Sequence, residues 1–206
     1  MIGHRPVRST RRLGRDGERG ATMLEFALVL PLLALLAFGV AEMGLAWTAH
    51  NRIEGAVSTA ARVGSAAGAT DAADVTTLLA LKAALPADAL ANADRVVIFR
   101  PSDVNGGVPV GCIKPAGSTN QTGVNSGTGR CNTYTGATLR AITPGSSLGT
   151  ADDFWLPTSR RDSLAGPPDS FGVWVRTTHK SVTGTFFDDF TITRQSIYRL
   201  QPDIDG

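Results

Sequence analysis

The chain has 206 residues and a formal net charge of only +2, a length that suits one domain or a domain with an anchor. Residues 1–20 hold six arginines (Arg5, Arg8, Arg11, Arg12, Arg15 and Arg19) against Asp16 and Glu18, and the remainder is close to neutral. The basic excess therefore sits in a tail rather than on a folded surface, which argues against a nucleic-acid partner, and two cysteines offer no zinc site of the usual four-ligand kind.

In chain order, residues 1–20 show no apolar periodicity and read as a basic cytoplasmic leader. An apolar run then begins. From Ala21 to Ala41 there are 21 residues, and Glu25 is the only charged one. At 1.5 Å per residue such a helix spans about 30 Å, one bilayer core. The arginines in front of it predict a cytoplasmic N-terminus and a C-terminal part on the far side. Glu42 falls near the outer interface, and Trp47 falls where an interfacial aromatic belt is expected. Pro31 cannot donate to the carbonyl of Ala27 and is expected to bend the helix.

The helical pattern continues to about Ser65. Ile53, Ala56, Val57, Ala60 and Val63 recur at spacings of three and four, on one face. Ala56, Ala60 and Gly64 form a row of small residues that permits close approach, either of the chain's own domain or of a neighbouring subunit. Gly64 and the Ala-Ala-Gly at 66–68 are expected to end the helix. Asp71 to Leu90 reads as a second helix interrupted by Pro86.

Arg95–Arg100 is a strand candidate, with Val108–Ile113 as a possible pairing partner. Residues 114–150, rich in Gly, Ser, Thr and Asn, read as one long loop. The glycines at 123, 127 and 129 lack the preceding strand and the Gly-Lys-Ser/Thr of a phosphate loop. Phe171–Thr177 alternates as a strand does, and 186–200 follows after a turn at Ser181–Gly184, which predicts an antiparallel hairpin. The fold class expected is α+β: a long N-terminal transmembrane and amphipathic helix packed on a small antiparallel sheet. The divisions expected are a leader at 1–20, the helix at 21–65 and an extracytoplasmic domain at 66–206. Cys112 and Cys131 form a disulfide if that domain is exported; closing a loop of about 20 residues contributes roughly 3 kcal/mol.

A carboxylate in a membrane helix costs roughly 3 kcal/mol on insertion scales. Cleavage after Gly20 would create an α-ammonium on Ala21, one helical turn from Glu25. A cut at Gly20–Ala21 and a carboxylate at Glu25 thus account for each other. Arg19-Gly20-Ala21-Thr22-Met23-Leu24-Glu25-Phe26-Ala27-Leu28-Val29-Leu30-Pro31, with Glu42, Trp47 and the helix through Ala61-Arg62, resembles the TadE-like family. These are minor pseudopilins of the tight-adherence (Tad, type IVc) pilus system, with a type IV prepilin-like N-terminus. The resemblance covers roughly residues 19–65. It implies cleavage between Gly20 and Ala21 by a prepilin peptidase, a single-pass membrane location, and association with other pilins or pseudopilins and the Tad secretion machinery. It implies an assembly role for Glu25, paired with the N-terminal amine of itself or a neighbour. No cofactor is implied.

Two other readings stay open. One is a secreted protein whose ordinary signal peptide is cut near Ala41; Thr10-Arg11-Arg12-Leu13 also faintly resembles a twin-arginine signal. The other is an unprocessed, anchored binding module. No catalytic set supports an enzyme. His4 lies in the leader, His50 near the membrane exit, and His179 at a strand end. Asp152-Asp153 and Asp188-Asp189 match no calcium loop, and no serine has a Gly-x-Ser-x-Gly context.

Overall fold

In the computed structural model the described residues are 16–101, 106–113, 116–117, 131–148, 155–162, 166–181 and 188–201. The chain divides into two compact units, Met1–Met43 and Gly44–Gly206. The first helix, α1 (Asp16–Ala67), continues through Pro31. In the first unit it presents its apolar side chains outward: Met23, Leu24, Phe26, Leu28, Leu32 and Leu33 are all exposed. The apolar window of α1 has a mean hydropathy of 2.4 with none of it buried, so the helix is long and apolar enough to cross a membrane.

The second unit holds a four-stranded antiparallel sheet in the order β2-β1-β3-β4. Its strands are β1 (Ala93–Phe99), β2 (Cys131–Thr135), β3 (Ser170–His179) and β4 (Phe190–Arg199). Alternation along each strand gives the sheet two faces. On one, Val96, Ile98, Phe171, Val173 and Val175 join Ile53, Ala56, Val57 and Ala60 of α1 in one core. Burying each of the larger side chains there stabilises the unit by about 1.5–3 kcal/mol. Leu78 and Leu81, from α2 (Ala73–Ala84), complete that layer. On the other face Val97, Phe99 and Trp174 pack with the two cysteines. The fold is therefore α+β with a helix against an antiparallel sheet, as the patterning predicts.

The face of α1 predicted to be buried is buried, with Val63 only half so, while Arg52, Glu54 and Arg62 are exposed. The small-residue row packs inside its own unit. A Cβ at Gly64 would lie 2.3 Å from Thr77 Oγ1 and 2.4 Å from the Phe171 ring, so glycine is needed there for close approach. The helix stops where Gly68 takes φ +61°, the left-handed conformation that costs glycine little. Beyond it, Ala69 N donates to Asp162 Oδ2 at 2.9 Å.

The second predicted helix is split. Leu85 and Pro86 separate α2 from the short α3 (Ala87–Ala91), since proline lacks the N–H that would continue the ladder. Two expectations are corrected. Val108–Ile113 is not a strand: Val110–Cys112 forms a 3₁₀ turn, in which Cys112 N donates to Pro109 O at 2.8 Å. Nor is 114–150 one continuous loop. It contains β2 and α4 (Gly136–Ala141), and β2 takes the place beside β1 in register Phe99↔Cys131 to Arg95↔Thr135. Asn132, Thr133 and Tyr134 carry no apolar alternation, yet they are buried because tertiary partners satisfy them. Thr135 caps α4, its Oγ1 accepting from Thr138 N at 3.1 Å. At the other end, Lys82 Nζ donates to the carbonyls of Arg140 and Ile142, each at 2.7 Å, matching cation to helix C-terminus.

The expected hairpin is present, with β3 and β4 paired from Ser170↔Arg199 to His179↔Phe190. The turn proposed at Ser181–Gly184 falls largely outside the described residues, as do Phe186 and Phe187.

Candidate functional site

Gly20, Ala21 and Glu25 lie on α1. All three are exposed. A Cβ at Gly20 would meet nothing within 4 Å, so no packing contact within the fold demands glycine there. Helical spacing puts Ala21 and Glu25 on the same side, one turn apart. Glu25 is flanked by outward-facing Leu24, at 65% exposure, and Phe26, at 60%. A carboxylate within exposed apolar surface is tolerable in water. In a bilayer it costs roughly 3 kcal/mol unless a cation meets it.

Residues 20–62 match the model of the TadE family, described as TadE-like protein. The TadE-like segment begins at Gly20 itself and ends inside α1, on the part of the helix that packs against the sheet. It thus includes both the apolar run and the buried face of Ile53, Ala56, Val57 and Ala60. No curated protein and no solved structure matches the chain. The remainder of the second unit, which carries the whole sheet, lies outside the TadE-like segment.

The disulfide between Cys112 and Cys131 is formed, with a Cα–Cα distance of 6.2 Å. Both cysteines are buried. The bond ties the 3₁₀ turn to the first residue of β2 and so covers the second face of the sheet.

Other candidate residues are dispersed. His4 and Asp152-Asp153 lie outside the described residues. Asp188 and Asp189 are exposed, and Asp189 Oδ1 accepts from Ser181 N at 3.1 Å. The His179 ring packs on Phe190 at 5.1 Å between centroids. Among the described residues no cluster of His, Cys, Asp and Glu could hold a metal ion.

Two polar arrangements escaped the sequence reading. The first is buried. Asp74, in the first turn of α2, accepts from Asn132 Nδ2 at 2.6 Å and from Tyr134 OH at 2.7 Å. It also forms an ion pair with Arg160. The Arg160 guanidinium stacks 4.4 Å above the Trp155 ring and 5.2 Å from that of Phe171. Asn132 pairs with the Trp155 backbone in both directions, at 3.0 Å each. This network holds α2, β2 and the 155–160 segment together, and the burial of its members assigns it to the fold. The second arrangement, around Trp47 and His50, lies at the surface. The sequence signal for the first was weak: single polar residues, each far along the chain from its partner.

Proposed function

We propose that the chain is a TadE-like minor pseudopilin, cut by a prepilin peptidase between Gly20 and Ala21 and then taking part in Tad pilus assembly or adhesion. The match of residues 20–62 supports involvement in Tad pilus-related function. The long apolar helix fits a single-pass membrane anchor. The observation that carries the finer reading is the register of Gly20, Ala21 and Glu25 at the head of that exposed apolar helix. TadE-like pilus proteins are structural, and we assign no enzymatic activity.

On this reading the leader stays in the cytoplasm and the sheet-bearing unit is exported, where the Cys112–Cys131 bond is stable. After cleavage the new ammonium of Ala21 and the Glu25 carboxylate neutralise one another, within one subunit or between neighbours. That pairing lowers the cost of holding Glu25 in the membrane and rewards processed subunits. Other pilins or pseudopilins, the Tad machinery and the peptidase are the partners.

Mass spectrometry of the membrane-associated protein tests the reading. A mature N-terminus at Ala21 supports it. A mature N-terminus at Glu42 means an ordinary signal peptide, and an intact leader means an unprocessed anchor; either overturns it. Glu25→Ala is expected to impair assembly while leaving membrane insertion intact.

A further inference from the structure

We propose that Arg100 and Arg161 form a binding site for the carboxylates of a uronic-acid polysaccharide. The proposal goes beyond the pilus reading and stands whether or not the chain is cut after Gly20. The sheet builds the site. The register Phe99↔Gly172 sets the end of β1 beside the start of β3. Arg100, the residue after β1, therefore reaches Asp169, the residue before β3. Arg100 Nη2 is 2.9 Å from Asp169 Oδ1, and Arg161 Nη2 donates to the same oxygen at 3.2 Å. Backbone bonds hold the frame. Asp169 N donates to Arg161 O at 2.8 Å, and Leu200 N donates to Asp169 O at 2.9 Å. Arg161 N donates to Asp169 Oδ2 at 3.0 Å.

Burial separates the partners. The Asp169 side chain is only 3% exposed, whereas those of Arg100 and Arg161 are 40% and 57% exposed. The carboxylate holds the pair from beneath, and the guanidiniums face water. Each uses Nη2 on Asp169, and among the described residues their Nε and Nη1 have no partner. Two positive charges share one negative charge, which leaves the cluster one positive charge in surplus. Asp162, the nearest carboxylate along the chain from Arg161, accepts from Ala69 N at 2.9 Å.

This chemistry narrows the ligand. Guanidiniums with free donors, already fixed in place, suit an oxyanion. One surplus charge matches a carboxylate, while the charge of Asp169 opposes a more highly charged phosphate. A single exposed ion pair binds weakly, so the fitting ligand presents carboxylates repeatedly and rebinds. A uronic-acid polymer does this on rigid rings, which lose less freedom on binding than the side chains of an acidic polypeptide. Its hydroxyls also accept from the remaining Nε and Nη1.

The full chain, labelled with nitrogen-15 and held in nonionic detergent, is titrated with oligogalacturonate while the arginine Nε–H resonances are followed. Saturating shifts at Arg100 and Arg161 are expected, and they should weaken as salt is raised. Arg100→Gln leaves Asp169 its contact with Arg161, so the fold is retained. It is expected to weaken the titration at Arg161 roughly fivefold, the upper range for one exposed ion pair. Arg52→Gln, on the exposed face of α1, should leave that titration unchanged. Shifts at neither arginine, or only at arginines elsewhere in the chain, overturn the site. Unchanged affinity at Arg161 in Arg100→Gln also overturns it, as does an equal loss in Arg52→Gln. Galacturonate monomer binding as tightly as the oligomer makes a free uronate the ligand and overturns the polymer. Oligoglutamate or oligophosphate shifting the same pair at lower concentration overturns the polysaccharide in favour of an acidic protein or a phosphate polymer.

Discussion

From Gly20 to Met43, α1 turns its leucines, methionines and phenylalanines outward on every side. From Gly44 to Ala67, it buries Ile53, Ala56, Val57, Ala60 and Ala61 and exposes Arg52, Glu54 and Arg62. The two stretches share one secondary structure. They differ in how apolarity is distributed around the axis. An all-round apolar helix has no polar face to offer water, and this one is long and apolar enough to cross a membrane. A one-sided helix needs a matching surface, and the sheet supplies it. Side-chain size differs as well. The outward stretch uses large residues, whereas the buried face intersperses Ile53 and Val57 with alanines and reaches Gly64, where a Cβ would meet Thr77 and Phe171.

Urea unfolding of the full chain in detergent, followed by tryptophan fluorescence, can break this contrast. The largest loss is expected for Asp74→Ala, which leaves Arg160 buried without its counter-ion and costs about 3–5 kcal/mol. A matched pair comes next. Leu78→Ala, at a fully buried site, should cost about 3 kcal/mol. Leu33→Ala, 53% exposed in the first unit, should leave the unfolding midpoint unchanged. Equal losses in the two leucine variants would erase the distinction between the stretches. Cys112→Ser should cost roughly 3 kcal/mol by freeing the loop in the unfolded chain, an effect that reductant alone should reproduce on the unsubstituted protein. Gly64→Ala should cost about 1–3 kcal/mol through overpacking. A neutral result there would mean that α1 can move away from the sheet. Glu54→Gln is expected to change stability by less than about 0.5 kcal/mol, since its contact with Arg194 is long and solvated.

Polar burial marks where sequence reading stopped. β3 and β4 were legible because their residues alternate and their spacing suits a hairpin. β2 was not: Asn132, Thr133 and Tyr134 look like loop residues. They form a strand whose buried side chains are satisfied by distant groups: Asp74 for Asn132 and Tyr134, the Trp155 backbone for Asn132, and the Cys112 carbonyl for Thr133. Val108–Ile113 erred the other way. Its valines suggested a strand, but the chain turns after Pro109 so that Cys112 can reach Cys131.

The sequence by itself determined the features that local order encodes. Among these are the length and apolarity of the first stretch of α1, the register of Gly20, Ala21 and Glu25, the amphipathic continuation of α1, and the two long strands. Each depends on composition or on a period along one segment, so no distant partner is needed to see it. Only the tertiary structure decided that the Ala56–Ala60–Gly64 row serves its own domain, that a polar segment becomes β2, and that Asp74 finds Arg160. It alone brought Arg100 and Arg161 to Asp169. Those outcomes depend on which distant groups meet, and a buried polar residue is stable only once its partner has arrived.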